Sequence, residues 1–306
     1  MAVGQRGHIV VSNDGGATWQ QSPVPVSSDL TAVYFVNDKK GWAVGHDGVI
    51  LATSDGGATW TLQLDGKRAN EAVLADVERK AAAQPTESLK AMLAEAKRNQ
   101  EQGADKPFLD VWFADDKTGY VVGAYNLIFQ TNDGGTTWTP WFDRTENPKF
   151  LNLYAIRPAG GGLYVVGEAG LVLKLDPASQ QFRALDTGYK GTYFGVTGNS
   201  DVVLVFGLRG NVYRSDDTGK SWTKMNVGLP ATIVGGLTLG GVIALADVSG
   251  RVVTSADGGK SWKPLPLESP GMLTGIADAG APKLALLGAR GVTVAAPSAQ
   301  PKPAKE

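Results

Sequence analysis

The chain has 306 residues, 42% hydrophobic and 19% charged, which is enough apolar mass for a large core. Lys+Arg at 29 against Asp+Glu at 30 leave a net charge of −1, so no bulk positive field exists to hold nucleic acid or an anionic membrane. The lack of Cys excludes disulfides, thiolate metal sites and cysteine nucleophiles, and two His, His8 and His46, are too few for a multi-histidine metal centre.

Glycine is abundant, at 40 residues or about 13% where about 7% is usual. It clusters in a phrase that recurs along the chain: Ser12-Asn-Asp-Gly-Gly-Ala-Thr-Trp19, Thr53-Ser-Asp-Gly-Gly-Ala-Thr-Trp60 and Thr131-Asn-Asp-Gly-Gly-Thr-Thr-Trp138. It returns as Ser215-Asp-Asp-Thr-Gly-Lys-Ser-Trp222 and Ser255-Ala-Asp-Gly-Gly-Lys-Ser-Trp262, with a degenerate copy at Leu175-Asp-Pro-Ala-Ser-Gln-Gln-Phe182. A second marker precedes each phrase: Gly4-Gln-Arg-Gly7, Gly45-His-Asp-Gly48, Gly123-Ala-Tyr-Asn126, Gly167-Glu-Ala-Gly170 and Gly207-Leu-Arg-Gly210. Asp247-Val-Ser-Gly250 and Gly288-Ala-Arg-Gly291 complete seven markers, spaced 40 to 44 residues apart except for one 78-residue gap.

In chain order, residues 1–23 begin inside a repeat unit and lack its first strand. Unit two reads as strands over 31–36, 41–44, 49–53 and 59–63, rich in Val, Tyr, Phe, Ile and Trp and punctuated by Gly, Asp and Asn. The long gap holds an insertion, 65–106, without aromatic residues. Val73, Leu74 and Val77 form one helical stripe and Leu89, Met92, Leu93 and Ala96 another, with Pro85 between them and Thr86 as N-cap, which predicts a helical hairpin. Four more units follow, and 272–296 supply three strands without the Asp phrase. The tail 297–306, rich in Pro, Ala and Lys, reads as disordered. Four-strand units at this period are propeller blades, so the expected fold is all-β: one seven-bladed β-propeller over 1–296, closed by strands from both termini, carrying the hairpin at 65–106.

The phrase reads as structural. Asp14, Asp55, Asp133, Asp217 and Asp257 can accept backbone N–H bonds within their own turns, and Trp19, Trp60, Trp138, Trp222 and Trp262 supply apolar area beside them. The alternating oxygen ligands and closing Glu of a calcium loop are missing.

The phrase resembles the Asp box, or BNR repeat, of sialidases, sortilin-type receptors and the photosystem II stability/assembly factor-like family. The whole chain, with runs such as Gly41-Trp-Ala-Val-Gly-His-Asp-Gly-Val-Ile-Leu-Ala-Thr-Ser-Asp-Gly-Gly-Ala-Thr-Trp60, looks most like the last, in its non-photosynthetic bacterial branch. That resemblance implies a non-enzymatic, seven-bladed scaffold without cofactor or metal, monomeric and periplasmic or otherwise extracytoplasmic. It would serve a membrane protein complex, a photosystem or an RND-type exporter, without inserting into the membrane or binding nucleic acid. The competing reading is a sialidase-like or other glycan-binding or glycoside-hydrolysing propeller, in which two of Asp47, Glu168 and Asp247, at equivalent marker turns, would flank a bond. The arginine triad and leading Arg-Ile-Pro segment of a sialidase have no match; the nearest is Ile156-Arg157-Pro158, reordered and on the fourth unit.

For partner binding the marker turns are the better candidates. They join second to third strands, opposite the Asp phrases, and the insertion leaves on their side. Arg6, Arg209 and Arg290 share one turn position, Arg290 and Arg6 being expected to meet across the closure, and Tyr154, Tyr189 and Tyr193 near first-strand starts would add apolar anchors.

Overall fold

The computed structural model describes residues 1–267, 271–280, 283–289 and 291–295. Arg290 and the tail 297–306 lie outside them. The described residues form seven antiparallel sheets, of three, four, four, four, four, four and three strands, and two α-helices. The fold is a seven-bladed β-propeller whose blades span 2–21, 30–64, 108–140, 153–185, 193–225, 233–265 and 273–295. The chain divides into two compact units, one of residues 1–13, 17–157 and 162–193, the other of 14–16, 158–161 and 194–306.

Blade two shows the pattern, with strands Leu30–Phe35, Gly41–Gly45, Ile50–Thr53 and Thr61–Leu64 hydrogen-bonded in sequence order. The second strand is buried along its whole length, which is why Gly-Trp-Ala-Val-Gly reads as a continuous apolar run. Trp42 stacks on Phe113 of blade three with centroids 3.4 Å apart and 7° between the planes, and its indole N–H donates to the Gly134 carbonyl at 3.2 Å. The same carbonyl accepts from Gln63 Nε2 at 3.0 Å, so the Asp box of blade three is held by blade two. The second unit repeats this device: Arg214 Nε of blade five donates to the Gly258 carbonyl in the box of blade six at 2.8 Å. Between blades three and four the buried Asp110 accepts from the Ile156 N–H at 2.8 Å and from Arg157 at 2.6 Å; burial pushes its carboxyl up, and the guanidinium opposes that. Arg157, of the reordered sialidase-like tripeptide, is therefore a joint between blades.

The predicted hairpin is present. Helix α1 (Gly66–Ala83) is capped by Asp65, which accepts from the Arg68 N–H at 2.9 Å, and α2 (Glu87–Gln102) by Thr86, which accepts from the Leu89 N–H at 3.2 Å. Val73, Val77, Met92 and Ala96 are buried in one cluster with Phe108 and Phe129 of blade three and Phe142 of the turn after it. Lys80 bridges Asp76 at 2.6 Å and Asp143, in the turn after blade three, at 2.7 Å. Both feet of the insertion meet marker turn two: a Cβ on Gly48 would lie 2.5 Å from Gly66 Cα and 3.5 Å from the Lys106 carbonyl oxygen. Gly48 has φ +61, so contact and conformation both require glycine there.

The Asp boxes are turns closed by their own side chains. In blade three the Thr131 hydroxyl donates to Asp133 Oδ1 at 2.8 Å and accepts the Gly135 N–H at 2.8 Å. Asp133 also accepts the Thr137 N–H at 2.9 Å and the Thr137 hydroxyl at 2.6 Å. The same set recurs around Asp55, Asp217 and Asp257. Trp60, Trp222 and Trp262 turn their indole N–H onto the carbonyls of Gly57, Gly219 and Gly259 at 3.2, 3.1 and 3.1 Å, whereas Trp138 donates to Gln63 at 3.3 Å. The leading Ser or Thr closes the turn together with the Asp. Sequence reasoning passed over it, although all five intact phrases carry it.

These donors hold the Asp55 carboxyl at about 2 against its ordinary 3.8, first through the Thr59 hydroxyl, then the Thr59 N–H and the Thr53 hydroxyl. Asp133, Asp217 and Asp257 are lowered in the same way. The folded state thus binds fewer protons than the unfolded chain between about pH 4 and pH 2. The boxes' contribution to stability is complete above the unfolded value and is lost as pH falls through the folded one. Urea unfolding from pH 5 to pH 2 should show that loss, and Asp55→Asn should flatten it; an unchanged acid slope would contradict this assignment. Asp133→Ala should lower the unfolding free energy by on the order of 1 kcal/mol given the turn's solvation, read as a lower urea midpoint with m unchanged.

Candidate partner-binding face

Five marker turns share one geometry. Gln5–Gly7, His46–Gly48, Ala124–Asn126, Glu168–Gly170 and Leu208–Gly210 are single 3-10 turns whose central residue is left-handed: Arg6 at φ +52, Asp47 at +56, Tyr125 at +53, Ala169 at +51 and Arg209 at +57. Non-glycine residues rarely adopt these angles, and glycine takes them without steric cost. At three of them the centre also turns its N–H out of its own blade. Asp29 Oδ1 accepts the Arg6 N–H at 2.7 Å, Asn152 Oδ1 the Tyr125 N–H at 2.8 Å and Thr232 Oγ1 the Arg209 N–H at 3.4 Å. Each acceptor immediately precedes the next blade's first strand, and its carbonyl in turn accepts from that blade's own marker: His46 N–H at 2.8 Å, Glu168 N–H at 3.2 Å and Val248 N–H at 2.8 Å.

Arg6, in the first unit, and Arg209, in the second, are therefore exposed side chains on backbones fixed by the adjacent blade. Arg290 is outside the described residues. The tyrosines divide. Tyr154 and Tyr189 are half-buried. Tyr193 is 0% exposed and shares a hydrogen bond with the Thr187 hydroxyl at 2.7 Å, so it supports the wall behind Tyr189, 5.1 Å away between ring centroids, and offers no surface itself. Its strand-start position resembles that of an anchor, but its ring points into the blade.

Tyr125 is the residue the sequence reading missed. It is 49% exposed, stands in the turn position of Arg6 and Arg209, and has Lys106 Nζ 5.0 Å from its ring centroid. Gln102 and Asp105 hold that amine at 2.8 and 2.7 Å, so the hairpin's last turn braces the tyrosine. The shared third position in Gly123-Ala-Tyr-Asn126 was the available signal.

The three marker carboxylates have separate environments. Asp47 accepts the Ser28 hydroxyl at 2.6 Å, and Glu168 accepts the backbone and side-chain N–H of Asn152, both at 3.0 Å. Asp247 is 0% exposed and closes its own turn by accepting from Ser249 and Arg251. Asp47 and Glu168 thus serve turns at the surface, and Asp247 serves the interior. Among the described residues no group of three or more His, Cys, Asp or Glu could hold a metal ion.

A sequence model described as "Photosynthesis system II assembly factor YCF48" matches residues 1–86 and 89–229. The "Photosystem II assembly lipoprotein Ycf48" of Prochlorococcus marinus (strain NATL2A) is 63% identical over 30 residues, 10% of this chain and 9% of that relative, so the chain matches about a tenth of the relative's length. Among solved structures, "YCF48 bound to D1 peptide" superposes with a TM-score of 0.66 at 16% identity, covering 95% of this chain and 86% of that one. YCF48 from Cyanidioschyzon merolae gives 0.65 at 18%, over 95% and 89%. BamB from Moraxella catarrhalis gives 0.52 at 15%, over 95% and 80%. These likenesses agree on the propeller, and with the sequence model covering most of its length, the chain belongs to the YCF48 photosystem II assembly factor family.

Proposed function

We propose that this protein is a non-enzymatic scaffold that docks a polypeptide segment of a membrane protein complex on its marker turns, outside the cytoplasm. The observation that carries the reading is the choice of Arg6, Tyr125 and Arg209 at left-handed positions where glycine is the less strained residue. Large side chains kept at a conformational cost, exposed and on fixed backbones, are what a preorganised docking surface requires. Tyr and Arg are also the residue types enriched at binding hot spots. Family membership supports the partner class, since a structural neighbour is described as bound to a D1 peptide and a relative as an assembly lipoprotein. No helix among the described residues is long and apolar enough to cross a membrane. Against hydrolysis, Asp47, Glu168 and Asp247 are each engaged by donors of the fold itself. The identity of the complex, photosystem or exporter, rests on resemblance.

A photo-crosslinking residue placed at Arg6, Tyr125 or Arg209 in the native host should yield adducts with an integral membrane protein. The same residue at Ala178 or Lys260, in Asp-box turns, should yield none. Adducts from the Asp-box positions alone would reverse the assignment of the docking turns.

Replacing Tyr125 with glycine separates strain from function. The thermal midpoint should stay level or rise as the left-handed strain is relieved, while partner affinity falls several-fold. A variant that melts lower and binds normally would make Tyr125 a structural residue.

A further inference from the structure

Of the five left-handed turn centres, four carry Arg, Asp, Tyr or Arg, and only the fourth is reduced to Ala169. At that turn the surface opens into a depression of about 240 Å³ within the first unit, lined by Leu151, Ala169, Leu171, Leu185 and Tyr189 together with Asp186 and Lys190. This is below the roughly 300–1,000 Å³ of small-molecule sites. Its size and lining suit one amino-acid side chain.

Its walls are set before any ligand arrives. A Cβ on Gly170 would lie 1.9 Å from the Tyr189 carbonyl oxygen, so the Tyr189 backbone rests directly on the turn. Thr187 Oγ1 accepts the Tyr189 N–H at 3.3 Å while bonded to the buried Tyr193 hydroxyl. On the other side, Leu151 gives its carbonyl to the Asn126 N–H at 3.2 Å, and Asn152 joins Tyr125 to Glu168. The exposed Tyr125 and the depression are thus two parts of one surface, joined through residues 151 and 152.

Charge at the rim is mixed, Glu168 and Asp186 against Lys190, and Lys190 is the cation of the lining. Glu168 is taken by the two Asn152 donors, and Asp186 accepts the Gly188 N–H at 2.8 Å. Lys190 is left with a loose 3.5 Å contact to Asp186, both side chains being 78% exposed. A solvated pair of that kind holds little energy and yields readily to another carboxylate.

We propose that this depression receives one large apolar side chain, Leu-sized or aromatic, of the docked polypeptide, with an adjacent acidic residue of that polypeptide set on Lys190. The site would select among polypeptide segments by an apolar–acidic pair, beside the Tyr125 anchor. It rests on the marker turns being the docking site, but it is tested on the isolated protein with defined peptides, so it fails or stands independently of crosslinking in the host.

The probes are blocked nonapeptides of Gly and Ser carrying Leu-Asp, Ala-Asp or Leu-Lys at their centre, titrated into the ¹⁵N-labelled full chain. Leu-Asp should bind at least tenfold tighter than Ala-Asp and several-fold tighter than Leu-Lys, shifting the amides of 169–171 and 185–190. Ala169→Leu should abolish the preference for Leu over Ala, and Ala169→Gly, which leaves the depression open, should retain it. Lys190→Glu should remove the preference for Asp over Lys while keeping that for Leu. Equal affinities for Leu-Asp and Ala-Asp, shifts confined to other blades, or no binding of Leu-Asp at about 1 mM would overturn the proposal. So would a Leu preference that survives in a folded Ala169→Leu protein.

Discussion

At three marker turns the backbone N–H of the left-handed centre leaves the strand pair that the turn connects and bonds to the segment leading into the next blade. The acceptors are Asp29, Asn152 and Thr232, each just before a first strand. Because their carbonyls also serve the next marker turn, one residue ties the turns of two consecutive blades. The same bonds therefore do two jobs: they join blades, and they fix the direction in which the side chain at each turn centre leaves the surface. Substitutions at Arg6 or Tyr125 can change what is displayed without touching the joint, since the joint uses main-chain atoms of those residues.

The two kinds of turn divide their chemistry accordingly. In one, Asp55, Asp133, Asp217 and Asp257 spend their carboxylate oxygens on hydroxyls and N–H groups four residues on, which closes the turn and keeps them ionised well into acid. In the other, marker carboxylates that look alike in the repeat alignment belong to different local networks, and Asp247 is buried altogether. Acidic residues in this fold are mostly acceptors for its own donors. The cations and aromatic side chains at the turn centres remain for contact with others.

The blade repeat and the hairpin were legible in the sequence because their determinants are local. A Ser or Thr two residues before Asp, a Thr or Ser four after and glycines between form one turn. A capping residue and two apolar stripes give each helix. The inter-blade acceptors were not legible, since Asp29, Asn152 and Thr232 are three residue types doing one job, recognisable only when the next blade is in place. Tyr193 illustrates the same limit: alternation along a strand decides whether a ring faces solvent or core, and its register fixed that as inward. The depression at turn four escaped for a related reason, as Leu151, Ala169 and Tyr189 come from separate segments and an alanine advertises nothing.

The insertion enters and leaves the propeller at nearly one point, over Gly48, so in topology it is a module that a short linker could replace. In solvation it is not. Its helices share a buried cluster with Phe142, and Phe150 packs against that cluster with its ring stacked on Phe142 at 5.4 Å. Excision would leave these rings as a bare apolar patch beside blade three, and an adhesive one. A lineage that lost the hairpin would have to make that patch polar before the shorter protein stayed monodisperse, so the helices and the rings beneath them can be gained or lost only together.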